Sequence, residues 1–199
     1  MKNTVNSRQL EYLTKEFCIL VNKKDQAIGK ASKLDCHLVA NNLPLHRAFS
    51  VFIYHGNQLL LQQRSHVKVT WPLKWTNSCC SHPLMFDDKE ELLEDAILRK
   101  TRHELGIVAV NLKFIGKIIY KAEQLKWGEH ELDHIYTAEC HSKDVPYNTE
   151  EVEAIRWVNQ NDASLLNQVH LTPWFNLIKS KVDIFKMDPW DSVLDLRKD

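Results

Sequence analysis

Short apolar runs separated by turn-forming residues mark out the first part of the chain. Residues 17–21 are apolar throughout, Lys23, Lys24 and Asp25 follow as a turn, and residues 27–31 return as a second strand. Residues 48–54 form a longer β-rich run. Gly56 and Asn57 both tolerate positive φ, and residues 59–64 pair back, which predicts a tight hairpin. Residues 67–85 hold two tryptophans, two prolines and many polar groups, and read as a long structured loop of the kind that carries function.

The pattern then changes to a helical period. Across residues 87–105, Leu92, Leu93, Ala96, Ile97, Thr101 and Leu105 recur at helical intervals and give one buried stripe. Asp88 with Glu91 has the spacing of an N-terminal capping box, and Gly106 is a natural stop. Strand patterns resume at residues 112–120, 129–139 and 153–158. Residues 161–169 predict a short helix, and Thr172 before Pro173 starts a last one. Strands mixed with two or three helices predict an α/β sandwich.

The chain has 199 residues, enough for one domain with a full core, and no repeat, low-complexity tract or linker divides it. Lys plus Arg and Asp plus Glu number 26 each, so the surface as a whole exerts no strong pull on nucleic acid or an acidic membrane. No apolar run approaches the roughly 18 residues of a membrane span, and the first thirteen residues lack a signal-peptide core. Five cysteines are an odd count, no C-x-x-C pair exists, and the adjacent Cys79 and Cys80 do not suit a structural disulfide. Reduced thiols and a cytoplasmic location are therefore expected.

Four groups of residues carry potential chemistry. On a strand, Glu129 and Glu131 project from one face, where two carboxylates repel unless a cation or proton lies between them. The alternative is a solvated edge strand of alternating charge. His37, His46 and His82, with those glutamates, would suit a divalent transition metal, although sequence spacing does not bring them together. The loop Trp75-Thr76-Asn77-Ser78-Cys79-Cys80-Ser81-His82-Pro83 offers a thiol that His82 or a metal could tune, against the alternative of inert buried cysteines. Lys33, Arg64, Lys68 and Lys74 before that loop, with Arg99, Lys100 and Arg102 on the helix, could hold a diphosphate or could each be a solubilising charge.

The predicted helix resembles a degraded Nudix box. Glu91, Arg99, Glu104, Gly106 and Ile107 fit that box, whereas Met85, Lys100, Thr101 and His103 depart from it. Losing two of the box glutamates argues against hydrolysis while keeping the fold. The chain from about Phe17 to Phe175 is similar to the type I isopentenyl diphosphate isomerases. Six segments in the family's order carry the likeness: His46-Arg47-Ala48-Phe49-Ser50, Leu60-Leu61-Gln62-Gln63-Arg64, the Trp75-to-Pro83 loop, Glu104-Leu105-Gly106, Trp127-Gly128-Glu129-His130-Glu131 and Thr172-Pro173-Trp174.

The resemblance implies an α/β (α+β) Nudix-like sandwich of mixed β-sheets flanked by helices. It implies one such domain over residues 1–199, with extensions at 1–16 and 188–199. Residues 188–191 would either cap the site or fray. The implied activity interconverts isopentenyl and dimethylallyl diphosphate through a tertiary carbocation. By position, the family's catalytic cysteine and glutamate correspond to Cys80 and Glu131, its tyrosine to Tyr120 and its cation-facing aromatic to Trp174. A Mn²⁺ or Zn²⁺ site corresponds to His37, His46, His82, Glu129 and Glu131. A Mg²⁺ site corresponds to Glu104 and the carbonyl of Cys80. Diphosphate contacts correspond to Lys33, Arg64, Lys68 and Lys100, the last standing where the family usually has arginine. The expected partner is a small prenyl diphosphate, with no nucleic acid, no membrane and a monomeric state. A Nudix-type diphosphate hydrolase and a non-catalytic metal-binding module are the alternatives.

Overall fold

The computed structural model describes residues 7–167 and 169–197. Residues 1–6 of the expected N-terminal extension, 198–199 of the C-terminal one, and residue 168 of the helix expected at 161–169 lie outside the described residues. The chain opens with helix α1 (Ser7–Lys15). The hairpin β1 (Phe17–Val21) and β2 (Ala27–Ser32) leads into the short helix α2 (Lys33–His37). Next come β3 (His46–His55), β4 (Gln58–Arg64), β5 (Trp75–Thr76), β6 (Cys79–Ser81), β7 (Met85–Phe86) and β8 (Lys89–Glu90). Helix α3 (Leu93–Leu105) precedes β9 (Val110–Gln124), β10 (Trp127–Glu139) and β11 (Val152–Val158). A 3-10 segment (Gln160–Asn167), helix α4 (Pro173–Lys181) and β12 (Val193–Asp195) complete the chain.

One mixed sheet organises these elements in the order β11-β4-β3-β10-β9-β12, and β1, β5 and β6 pair onto its flanks. The central contact is parallel: β10 lies beside β3 from Glu131 opposite His46 to Glu139 opposite Tyr54. β9 and β10 form a long antiparallel hairpin, turning at Leu125 with φ of 56°.

The predicted hairpin forms with Gly56 at φ of 59°, pairing Tyr54 with Leu59 and His55 with Gln58. Beyond that the two strands splay. β6 pairs with β3 and β5 with β4, so the 75–81 segment fills the opening. Its polar side chains satisfy the parted backbones. Ser78 Oγ accepts from Ile53 N (2.7 Å) and donates to Leu60 O (2.6 Å), while Asn77 Nδ2 donates to Val51 O (3.2 Å) and Cys79 O (2.8 Å). These buried groups could not stay apolar-packed without leaving backbone donors and acceptors unmet.

The period-two alternation of the central strands divides the core. Phe52, Leu59 and Leu61 face α4 with Tyr120, Trp174, Phe175 and Ile178. Phe49, Val51, Ile53 and Leu60 face α3 with Cys79, Ala96, Ile97 and Leu105. Helices thus cover both faces of one sheet, and each fully buried large apolar side chain contributes roughly 1.5–3 kcal/mol.

Several local expectations are corrected. Asp88 caps no helix. Asp87 (φ 44°) and Asp88 (φ 67°) make the two-residue turn of the β7–β8 hairpin, a left-handed conformation that acidic residues tolerate better than most. Glu91 instead accepts from Leu84 N at 2.9 Å and grips Arg99. α3 starts at Leu93, with exposed Leu92 as a cap position that offers no side-chain bond. The 67–85 loop contains β5, β6 and the first residue of β7, and residues 160–167 are 3-10 rather than α. Residues 188–191 neither fray nor cap: Trp190 lies against Gly116, its Nε1 donating to Lys117 O at 3.3 Å, and β12 extends the sheet edge beside β9.

Candidate active site

The register of the central strands builds a cluster of donors. Glu131 on β10 sits opposite His46 of β3 on one side and Tyr120 of β9 on the other. His37 ends α2, and His82 follows β6. Together with Glu129 these five residues are buried, each presenting one ligand atom within 4.8 Å of the others. The solvated-edge alternative for Glu129 and Glu131 is thereby excluded, since they are 5% and 7% exposed.

Details of the cluster fit a divalent cation. His37 Nδ1 donates to Lys33 O at 2.6 Å and His46 Nδ1 to Pro44 O at 2.9 Å, which aims both Nε2 atoms inward. His46 Nε2 and His82 Nε2 lie 3.2 Å apart, and His82 Nε2 also lies 2.8 Å from Glu131 Oε1. Glu129 Oε2 is 2.7 Å from His37 Nε2 yet lacks hydrogen-bond geometry and stays unpartnered. Donor atoms from all five residues crowd towards a shared point, and three imidazoles with two carboxylates could hold a divalent metal ion.

The charges respond to this crowding. Burial pushes His37 and His82 each down to about 3, the neutral form that ligates. Burial disfavours charge on His46, but the hydrogen bond and charge of Glu131, with the Cys18 sulfur and the Pro44 carbonyl, together outweigh it and push this histidine up to about 9. Burial and the neighbouring Glu131 drive Glu129 well above the carboxylate range. Burial would raise Glu131 too, but the hydrogen bonds with His46 and His82 hold it well below.

A cleft opens beside the cluster. Its lining includes Lys33, His37, Arg64, Lys68, Cys80, His82, Lys100, Glu104, Tyr120, Glu129, Glu131 and Trp174, that is, every expected site residue except His46, which lies behind. Lys74, Arg99 and Arg102 do not line it. Adjacent Cys79 and Cys80 face opposite ways on β6: Cys79 is sealed in the α3-side core, while Cys80 opens to the cleft. Burial of its sulfur, only partly offset by Arg64, pushes Cys80 up to about 12. All five cysteines are free.

The reactive end is narrow and aromatic. Tyr120 Oη donates to Glu131 Oε2 at 2.5 Å. The Trp174 ring is 6.3 Å from that of Tyr120 and meets Trp71 edge-on at 5.5 Å, and its Nε1 donates to Asn77 Oδ1 at 3.2 Å. The Arg64 guanidinium lies 5.5 Å from the Trp174 ring, held by Thr70 O and Thr70 Oγ1.

The other end is ionic. Lys100 Nζ lies 2.9 Å and Lys68 Nζ 3.8 Å from Glu104 Oε1, and Lys33 Nζ pairs with Glu16 at 2.9 Å. Burial opposes ionisation of Glu104, but Lys100 and Lys68 hold it down to about 2. Neither α1, whose Gln9 and Leu13 also line the cleft, nor Glu151 behind it was expected from the sequence. Helix amphipathicity in residues 7–15 was the one available signal.

Residues 44–175 match the NUDIX domain model. The chain is 42% identical to isopentenyl-diphosphate Delta-isomerase II, chloroplastic, of Arabidopsis thaliana, over 93% of this chain and 72% of that one. It is 41% identical to isopentenyl-diphosphate Delta-isomerase I of Clarkia breweri, over 93% and 71%. A crystal structure from Deinococcus radiodurans matches with a TM-score of 0.61 at 16% identity, covering 84% of this chain and all of that one. A MutT NUDIX hydrolase from Burkholderia pseudomallei matches at 0.52 and 20% identity, covering 70% and 98%. The two structures speak to the fold alone.

Proposed function

The chain belongs to the NUDIX family and, within it, to the isopentenyl-diphosphate Delta-isomerases, and from that premise we propose that Cys80 and Glu131 serve the two faces of one small olefin. The protein is an isomerase that interconverts isopentenyl and dimethylallyl diphosphate. The observation that carries the assignment of roles is that Cys80, Glu131, Tyr120 and Trp174 share one cleft with a lysine-rich end.

An unactivated alkene is a very weak base, and protonating it leaves a tertiary carbocation. A proton must then leave the opposite side of the allylic system. The site therefore needs one group that gives a proton and one that takes it. Glu131 and Cys80 form that pair: a cation beside Glu131 would make its protonated carboxyl the stronger acid that an alkene demands, with Cys80 as the acceptor on the other face. The return reaction exchanges their roles. Tyr120 donates to Glu131 and fixes which carboxyl oxygen faces the cleft. Trp174 offers a π face to the cation, worth about 2 kcal/mol when desolvated, and brings no nucleophile to capture it. Trp71 backs that ring and helps exclude water. Lys33, Arg64, Lys68 and Lys100 pin the diphosphate, whose binding energy positions the reacting carbons.

His37, His46, His82, Glu129 and Glu131 would hold Mn²⁺ or Zn²⁺, and Glu104 with the Cys80 carbonyl would hold Mg²⁺. Bound there, the ions fix the Glu131 carboxylate and neutralise diphosphate charge. α3 presents Lys100 and His103 where a hydrolase box carries glutamates, which favours isomerisation over hydrolysis.

The segments outside residues 44–175 are read as parts of the same domain. α1 lends Gln9 and Leu13, and α2 lends Lys33 and His37, to the cleft. A monomer is our reading of the oligomeric state. Light scattering checks that state. Among the described residues no helix is long and apolar enough to cross a membrane. Five free cysteines support a reducing compartment, with the cytoplasm as our reading, although the Arabidopsis relative is named chloroplastic. One assay tests the function: purified protein with Mg²⁺ should form dimethylallyl diphosphate from isopentenyl diphosphate and take up deuterium from heavy water. Release of phosphate or pyrophosphate without isomer would overturn it.

A further inference from the structure

The ionic end of the cleft is braced by a carboxylate that never reaches it. Glu151 precedes β11, is 2% exposed and is absent from the cleft lining. Its carboxylate forms an ion pair with Lys68 Nζ. Gln9 Nε2 of α1 donates to Glu151 Oε1 at 3.2 Å, and His103 Nε2 of α3 lies 3.4 Å from the same oxygen. The backbone joins in. Ser65 N donates to Glu151 O at 3.0 Å, and Lys68 N to Ser65 O at 3.1 Å, so one residue holds both ends of the turn that carries Lys68.

A buried ion pair is weak evidence for stability, because desolvating two charges offsets much of their attraction. It does fix geometry. Lysine is a flexible point charge, and a diphosphate contact needs that charge in one place. We propose that Glu151 is a positioning residue for the diphosphate end, holding Lys68 at the cleft wall and α1 beside it through Gln9. This rests on the reading of Lys68 as a diphosphate contact. Glu151 itself touches no substrate atom.

Charge alone predicts the reverse behaviour. Glu151 is an anion behind an anion-binding surface, so neutralising it without loss of order would tighten diphosphate binding and lower KM. Positioning predicts a higher KM instead.

The test compares Glu151→Gln, Lys68→Met and the double variant in the magnesium-loaded protein with isopentenyl diphosphate. Glu151→Gln should raise KM about tenfold and leave kcat within about threefold, since uniform binding is lost and the chemical step is not. In the Lys68→Met background it should raise KM by less than about twofold, because the two residues act as a unit. His103→Ala, which removes a support on a part-exposed side chain, should raise KM about threefold and covers the case in which Glu151→Gln does not fold. A KM that falls or stays constant in Glu151→Gln, or in His103→Ala where the former does not fold, overturns the positioning role. If Lys68→Met itself leaves KM unchanged, the diphosphate reading of Lys68 fails and takes this role with it. If Lys68→Met raises KM while Glu151→Gln does not, only the positioning role fails.

Discussion

Exchanging the two neighbouring cysteines one at a time separates a reactive thiol from a packed one. Cys80 lines the cleft with Glu131, and general acid–base groups contribute typically 10²–10⁴-fold to rate. Cys80→Ser keeps the shape and replaces a thiol by a hydroxyl that is far harder to ionise, so kcat should fall by about that factor. Cys79 is 0% exposed, packs among Phe49, Ile97 and Leu105, and lies with its sulfur 3.6 Å from Glu104 Oε2. Cys79→Ala leaves a small cavity, costing about 1–2 kcal/mol, which for a chain of this size lowers the melting temperature by roughly 2–8 °C. Its kcat should stay within about threefold, because no step uses that sulfur. Single-turnover isomerisation and thermal melts on both variants give the four numbers needed. A dead Cys79→Ala beside an active Cys80→Ser would refute the assignment of faces on β6 and the mechanism built on it.

Metal loading should be visible without turnover. Mn²⁺ or Zn²⁺ at about a thousand times its Kd stabilises the folded state by about 4 kcal/mol, read as a melting rise of roughly ten degrees. His46→Ala should abolish that rise, and an unchanged rise would place the ion elsewhere. Asp25 gives a pH prediction remote from the site. Burial would raise its pKa, but hydrogen bonds from His134, Lys117 and Arg47 hold it well below the usual carboxylate range. A depressed folded pKa means stability that is complete above the unfolded value of about 3.9 and lost as pH falls below it. Asp25→Asn should therefore be less stable than the parent at neutral pH, with the gap closing below about pH 4 in denaturant titrations. A gap that widens in acid contradicts the sign. Gly116→Ala would put a Cβ 2.1 Å from Trp190 Cε2, so it should undock β12 and raise proteolysis after Met187. An unaltered digestion pattern would show that Trp190 yields without leaving.

Much of the site was legible as residue types and little of it as geometry. The Gly56-Asn57 turn, the α3 stripe from Ala96 to Leu105 and the Gly106 stop follow from local rules, because backbone preference and hydrophobic period act over a few residues. The Asp88 cap did not follow. A two-residue hairpin turn claimed that aspartate first, and a capping box and a turn share the same residue types. Resemblance to a family supplied roles for Cys80 and Glu131, and strand alternation let Glu129 and Glu131 share a face.

Convergence belongs to the tertiary structure. His46, Glu131 and Tyr120 meet because β3, β10 and β9 lie side by side in one particular register, and a one-residue slip would turn Glu131 to the other face. Which cysteine reaches the cleft depends on how β6 pairs with the splayed β3. Glu151 was invisible for the same reason: it is 83 residues from Lys68 and 142 from Gln9, and only the closing of the sheet and of α1 against it brings them together. Sequence determined which chemical groups were available and which local elements they ride on, since those depend on near neighbours. Distances between groups far apart along the chain are set by strand order and register, which no local pattern encodes.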